Sequence, residues 1–488
     1  MAGGDIKPGG EWFEKVYVHE YCRFDEPGTY TVRAFHDLGY GPQRTNDPRV
    51  VETTIKILAT TEQDTRRILA EEENAKPDYG PTWGKKGKSR LDYRCIRWPA
   101  FLRPLQERAR HGNENALDGI GSIRTLDASA ALVDLLQHTN AEFAAKAAKL
   151  IEPRLPHPES AFTGPWGAER RQFIITNSWN ESLSPSVRKF CARLLAGTDR
   201  GDFLTATSLL SLIGKSEDLP AIRNALEVAV AGTNAEYLFE IHYPAPIRAA
   251  DSLVGAALTI NSNLDVEASE TLSPGNLLVF LARHGGGDKV LSPDERAMFA
   301  RGLQHSLPYL RMKAIECLPN NVPPSLSDLI AQRMTDTYEG VQTYAFETAR
   351  RMNDPRHRDL ALSVLKKAEN EWLQRAANDI ALKYNARYDA VTIWASRIAA
   401  PQDMNDYLPH HIIQHLFDII VGPNVGGNLV VPKKFDSAQK MREDWLHFLE
   451  ANRSKIEHGD IFRIADLPHG LGIHSSDSSG VSVSPERE

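Results

Sequence analysis

Three segments of this chain repeat one pattern. Leu310-Arg-Met-Lys-Ala314, Val341-Gln-Thr-Tyr-Ala345 and Leu373-Gln-Arg-Ala-Ala377 each set an apolar residue four before an alanine, with a further helical turn behind. The spacings are 31 and 32 residues. A period of roughly 20–50 residues marks a repeat array, whose units bury their apolar faces only against one another. The alanine lets neighbouring helices approach closely.

A second pair lies earlier. Ile120-Gly-Ser-Ile-Arg-Thr-Leu-Asp-Ala-Ser-Ala-Ala-Leu132 aligns with Leu210-Ser-Leu-Ile-Gly-Lys-Ser-Glu-Asp-Leu-Pro-Ala-Ile222. Each reads as the end of one helix, a polar turn and the start of the next. Their separation is 90 residues, two units of about 45. Ala-rich helices over Phe143–Ile151 and Val187–Leu195 supply the intervening members.

The segment Leu-x-x-Ile-Gly-x-x-Glu-Asp-Leu-Pro-Ala-Ile at 210–222 resembles the HEAT family, including the shorter HEAT-like repeats of phycobilin lyases. The resemblance covers about residues 96 to 400 and implies a mainly α fold, an α-solenoid of seven or eight helix pairs. It identifies architecture and says little of activity. Residues 153–184 and 232–275 depart from the pattern and read as inserted loops, which in solenoids tend to gather on one face.

The start of the chain is different. Trp12–Tyr21, Tyr30–His36 and Val51–Ile57 alternate with period two, the strand signal. Tyr30, Val32 and Ala34 form an inward set; Val51, Thr53, Ile55 and Ile57 form a third alternating set. Pro27-Gly28 marks a turn. Phe24-Asp-Glu-Pro-Gly-Thr-Tyr30-Thr-Val32 resembles the E–F corner of immunoglobulin-like sandwiches, which implies a corner role for Tyr30 and puts Val32 at the inward Cys position. On that resemblance residues 1–60 are the last three strands of a sandwich. The expectation is that a longer native chain supplies the others; the alternative is that these strands complete a sheet elsewhere.

Residues 61–75 read as a polar helix capped by Thr61 or Asp64. Residues 61–95 are helix and linker, with a basic group of Lys85, Lys86, Lys88 and Arg90 beside Tyr79 and Trp83. Residues 96–420 are the solenoid. Residues 421–473 hold a loop and a capping helix whose Trp445, Phe448 and Leu449 cover the last repeat, and 474–488 form a Ser-rich tail.

Composition removes several classes. Hydrophobic residues are 41% and charged residues 25%, enough for a large core. The net charge of −7 argues against a broad basic face for nucleic acid. Four cysteines exclude a disulfide scaffold. No run of about 18 apolar residues predicts a membrane span. The N-terminus has no basic region followed by an apolar stretch, so the chain as written reads as cytoplasmic. A longer N-terminus with an export signal would place it in the cell envelope.

Four places carry residues suited to chemistry. His411 and His415 stand at i, i+4, a metal-gripping spacing, but Ile412 sits where a zincin has its Glu. Gly285-Gly-Gly-Asp288 lacks the following Lys-Ser/Thr of a phosphate loop and reads as a plain turn before a capping box at Ser292 and Glu295. Cys191 and Cys317 fall on apolar faces as core thiols, while Cys22 and Cys95 lie outside the repeats. The segment 237–248 gathers Tyr237, Phe239, His242, Tyr243 and Arg248, residue types favoured in binding hot spots.

The expectation is a non-catalytic scaffold that presents a solenoid surface to a protein partner, through Tyr237, Phe239, His242, Tyr243 and Arg248, with no cofactor. Two alternatives stand beside it: an enzyme or small-ligand protein with its site between solenoid and sandwich, and a metal-binding module through His411 and His415.

Overall fold

The computed structural model describes residues 27–34, 51–74, 93–158, 174–233, 245–262, 264, 266, 268–269, 271–402, 408–422 and 434–468. Among them the protein is mainly α, with 20 helices packed on their neighbours and one two-stranded sheet. The expected strand over 12–21, the linker residues 75–92 and residues 469–488, which include the expected tail 474–488, lie outside the described residues. Two compact units divide the chain: Met1–Ala225 with Gly255–Ser262, and Leu226–Val254 with Asn263–Glu488.

In the first unit β1 (Gly28–Ala34) pairs antiparallel with β2 (Val51–Ile57), Tyr30 opposite Ile55 and Val32 opposite Thr53. Tyr30, Val32, Ile55 and Ile57 are half-buried; Thr29, Thr31 and Arg33 are exposed. Thr53, of the same alternating set as Ile55 and Ile57, is exposed. A two-stranded ribbon twists strongly and turns part of its inner face outward.

Helix α1 (Glu62–Asn74) begins with a reciprocal cap. The Asp64 carboxylate accepts from Thr61 N (3.2 Å) and Thr61 Oγ1 accepts from Asp64 N (3.2 Å). Buried Leu69 faces inward, and the Arg66 fork donates to both oxygens of Glu107 (2.6 and 2.8 Å) on α2 (Leu102–Arg110).

The next helices are α3 (Glu114–Ser122), α4 (Leu126–Leu135) and α5 (Ala141–Ile151). Asn113, Thr125 and Asn140 cap them in turn, each side chain accepting the N–H three residues on at 2.9–3.2 Å. Then follow α6 (Ser184–Leu195), α7 (Arg200–Ile213), α8 (Leu219–Ala231) and α9 (Ala245–Ile260). The aligned segments 120–132 and 210–222 are both helix, turn, helix, as the pattern predicts. Helix α9 corrects the expectation of an inserted loop over 232–275. Its Ala249, Ala250, Leu253, Ala256 and Ala257 recur at helical spacing and are buried. Within this unit α3 packs on α5 and α5 on α7, while α2 packs on α4.

The second unit takes the end of α8 from Leu226 and the start of α9 up to Val254, and goes on with α10 (Pro274–His284), α11 (Pro293–Leu303), α12 (Pro308–Glu316), α13 (Ser327–Arg333), α14 (Glu339–Arg351), α15 (Arg356–Leu365), α16 (Glu371–Lys383) and α17 (Arg387–Ser396). They form two rows. Helices α10, α12, α14 and α16 pack in sequence along one row, and α11, α13, α15 and α17 along the other. The repeated motif falls on α12, α14 and α16. All six of its apolar and alanine positions, from Leu310 to Ala377, are at most 1% exposed. This is a helical-repeat architecture built at the period read from the sequence.

The chain ends with α18 (Leu408–Ile420), α19 (Phe435–Ala451) and α20 (Arg453–His458). Trp445 and Leu449 are fully buried. Trp445 meets Phe417 edge-on at 6.1 Å, and α19 packs on α17. Phe448 is half-buried and packs edge-on against Phe462 at 5.3 Å. Gly459 closes α20 in the left-handed region (φ +96°), its N–H donating to Lys455 O.

Candidate functional site

Of the segment 237–248, Arg248 lies within the described residues and Tyr237, Phe239, His242 and Tyr243 do not. Arg248 is exposed on the first turn of α9. One turn on, Asp251 accepts the Tyr309 hydroxyl (2.7 Å) and pairs with Lys313 (3.0 Å), which also pairs with Glu316 (2.8 Å). Burial and then the Asp251 carboxylate push the Tyr309 phenol well above its ordinary value. Burial opposes the Lys313 charge, yet Asp251 and Glu316 outweigh it and hold the amine above its usual range. Both groups are thus kept protonated. The knot fastens the start of α9 to α12.

His411 and His415 share one side of α18 but face different surroundings. His411 Nε2 is 3.4 Å from Glu371 Oε2 on α16. His415 is 7% exposed and stacked on Trp394, ring centroids 4.5 Å apart. Burial, and after it the Arg375 charge, lowers His415 to about 4. Among the described residues no group of three or more His, Cys, Asp or Glu is arranged to hold a metal ion.

The His411–Glu371 pair borders a surface that the sequence reading missed. Trp372 is 64% exposed at the start of α16. The Arg375 guanidinium lies 5.7 Å from its ring centroid and 3.4 Å from Glu371 Oε1. Asn370 fixes this turn by accepting from Trp372 N (2.9 Å) and Leu373 N (3.2 Å). The motif Leu373 is buried beside it, so Trp372 stands one residue off the buried stripe. That offset was the available signal: a large aromatic where the repeat period puts solvent. An exposed indole with an arginine, on a rigid turn, is the composition of a contact hot spot.

The glycine turn is more firmly held than a plain turn. Gly286 N–H donates to Cys317 O (2.8 Å) and Asn320 N–H to Gly287 O (2.7 Å). Asn320 Nδ2 donates to Asp288 (3.0 Å), and Arg351 donates to Asn320 Oδ1 (3.1 Å). The turn links successive repeats, with Gly286 and Gly287 at φ +80° and +58°. The capping box after it forms as expected, Ser292 N–H donating to Glu295 (2.7 Å) and Glu295 N–H to Ser292 Oγ (3.2 Å). Burial resists ionisation of Glu295, but the Ser292 N–H, Lys289 and His284 overcome it and hold the carboxyl at about 2.

Cys191 is buried and Cys317 half-buried, both as free thiols. Burial raises Cys191 to about 12 and Cys317 to about 11, which leaves neither reactive. Cys22, the side chain of Cys95, Tyr79, Trp83 and the cluster Lys85, Lys86, Lys88 and Arg90 lie outside the described residues. No described helix is long and apolar enough to cross a membrane. Among family models none matches the chain, and among curated proteins none matches it either.

Proposed function

We propose that this chain is a HEAT-like repeat protein of non-catalytic, scaffolding type that binds a protein partner through its exposed repeat faces. The observation that carries the reading is Trp372, 64% exposed on a capped helix turn and flanked by Arg375, Glu371 and His411. Trp and Arg are enriched among the residues that dominate contact energies. The rows of α10–α16 and α11–α17 support it by giving that turn a buried, rigid base. Arg248 offers a second contact position on α9, with Tyr237, Phe239, His242 and Tyr243 preceding it in sequence. On this reading β1 and β2 belong to an immunoglobulin-like module with Tyr30 as its corner tyrosine.

Affinity capture with the full chain tests the proposal. Wild type should retain a protein at fixed stoichiometry that Trp372→Ala and Arg375→Ala both lose, with their melting temperatures unchanged. Equal capture by both variants, or a measured turnover without any retained protein, would overturn it.

A further inference from the structure

The first unit holds a small cleft between α2 and α4, two helices that pack on each other. Its volume is about 190 Å³. Gln106 and Arg110 reach it from α2 at i, i+4; Ala131, Asp134 and Leu135 reach it from α4 at i, i+3, i+4. Both sets therefore share one face of their helix. Ala131 and Leu135 are 2% and 5% exposed and give the cleft an apolar base.

Its walls carry two exposed charged side chains, Arg110 and Asp134. Neighbouring arginines are matched: Arg66 with Glu107 (2.6 Å), Arg108 with Glu73 (2.6 Å), Arg188 with Asp218 (2.7 Å). Arg110 and Asp134 line one cleft with opposite charge, yet no ion pair joins them. No hydrogen bond or ion pair to the described residues involves either side chain. Opposite charges on one cleft with an apolar base suit a small molecule that carries both.

His138 completes the wall. Its Nδ1 accepts from Asn140 N (3.1 Å), which places the ring proton on Nε2, and its ring packs on Phe143 at 4.6 Å. The cleft also lies at the C-terminal ends of α2 and α4, where the helix dipoles favour a cation. An ammonium beside Asp134 gains from that field, and the Arg110 guanidinium fits a carboxylate. The volume is below the roughly 300 Å³ at which drug-sized sites begin, so the occupant is small.

We propose that this cleft binds a free amino acid, with Arg110 holding its carboxylate and Asp134 its ammonium group. The side chain of the ligand then lies over Ala131 and Leu135. The site is independent of the Trp372 surface, which belongs to the other unit.

Titration calorimetry on the full chain tests it, with glycine, L-alanine, L-leucine and L-glutamine as single probes. At least one should bind with saturable, one-to-one stoichiometry. Its N-acetyl and carboxamide derivatives, which each lose one charge, should bind about tenfold more weakly or worse. The near-isosteric variants Arg110→Gln and Asp134→Asn should weaken the free amino acid to a similar degree. Each is to be compared by circular dichroism with wild type, since both side chains are exposed and their loss leaves the core intact. Arg103→Gln, on the same helix outside the cleft, should bind as wild type does. No heat of binding from any probe at millimolar concentration overturns the proposal. So does equal affinity for the blocked derivatives, or wild-type affinity in both cleft variants.

Discussion

Gly285 lies so close to Cys317 that a Cβ at position 285 would stand 1.9 Å from the Cys317 carbonyl oxygen. Its backbone is ordinary (φ −96°, ψ −178°), so the requirement is space and not conformation. Gly285→Ala should force the glycine turn away from α12 and weaken the Gly286–Cys317 bond. The expected loss is about 1–3 kcal/mol, read as a lower urea midpoint. Gly255, exposed within α9 with nothing near its missing Cβ, is the contrast. Gly255→Ala should stabilise by up to about 1 kcal/mol through helix propensity.

The buried pair of Arg311 and Asp336 ties α12 to the turn before α14. The Arg311 fork donates to both Asp336 oxygens (2.7 and 2.9 Å), and Arg333 donates to the same carboxylate (2.8 Å). Asp336→Ala strands two guanidinium groups and should cost about 3–5 kcal/mol in denaturant unfolding. Arg311→Met combined with Asp336→Leu should recover a good part of that loss, because the buried charge leaves with its partner. A double variant no more stable than Asp336→Ala would contradict the assignment.

His415 sets a pH dependence. Its pKa falls from 6.5 to about 4 on folding, so between those values the unfolded chain holds a proton that the folded chain refuses. Stability must then rise with pH across that window, by about 3 kcal/mol from this group at full effect. His415→Phe keeps a ring on Trp394 and should flatten the slope between pH 4 and 6.5. Glu295, held at about 2, loses its contribution in a more acid range and does not confuse the comparison. Thermal unfolding of both proteins at several pH values checks this.

A recurring hydrogen bond marks the second motif position. Arg311 donates to His305 O (2.8 Å), Gln342 to Asp336 O and Gln374 to Ala368 O (2.9 Å), each reaching the carbonyl six residues back. Gln374 is fully buried. Gln374→Leu leaves the Ala368 carbonyl with Arg397 as its remaining donor and should cost about 1–2 kcal/mol. A urea midpoint equal to wild type would show the bond to be dispensable.

The motif at 310, 341 and 373 was legible because apolar periodicity survives in a single sequence, and its helices pack as the spacing requires. The polar residue between its apolar and alanine positions was not. Arg311, Gln342 and Gln374 differ chemically, and only their shared acceptor position makes them equivalent. Helix α9 was missed because Pro244, Pro246 and the aromatics ahead of it masked an alanine-rich stripe. His411 and His415 show the reverse case. Their spacing put them on one face correctly, but neighbours supplied by α16 and α17 give one a carboxylate contact and the other a stack. Trp372 needed the register of Leu373 before its exposure could be read.

Hydrogen–deuterium exchange on the captured complex tests the binding account most directly. Binding should slow exchange over residues 371–375 on α16, with a second protected stretch at the start of α9 around Arg248. A complex whose protection leaves both stretches unchanged would contradict it.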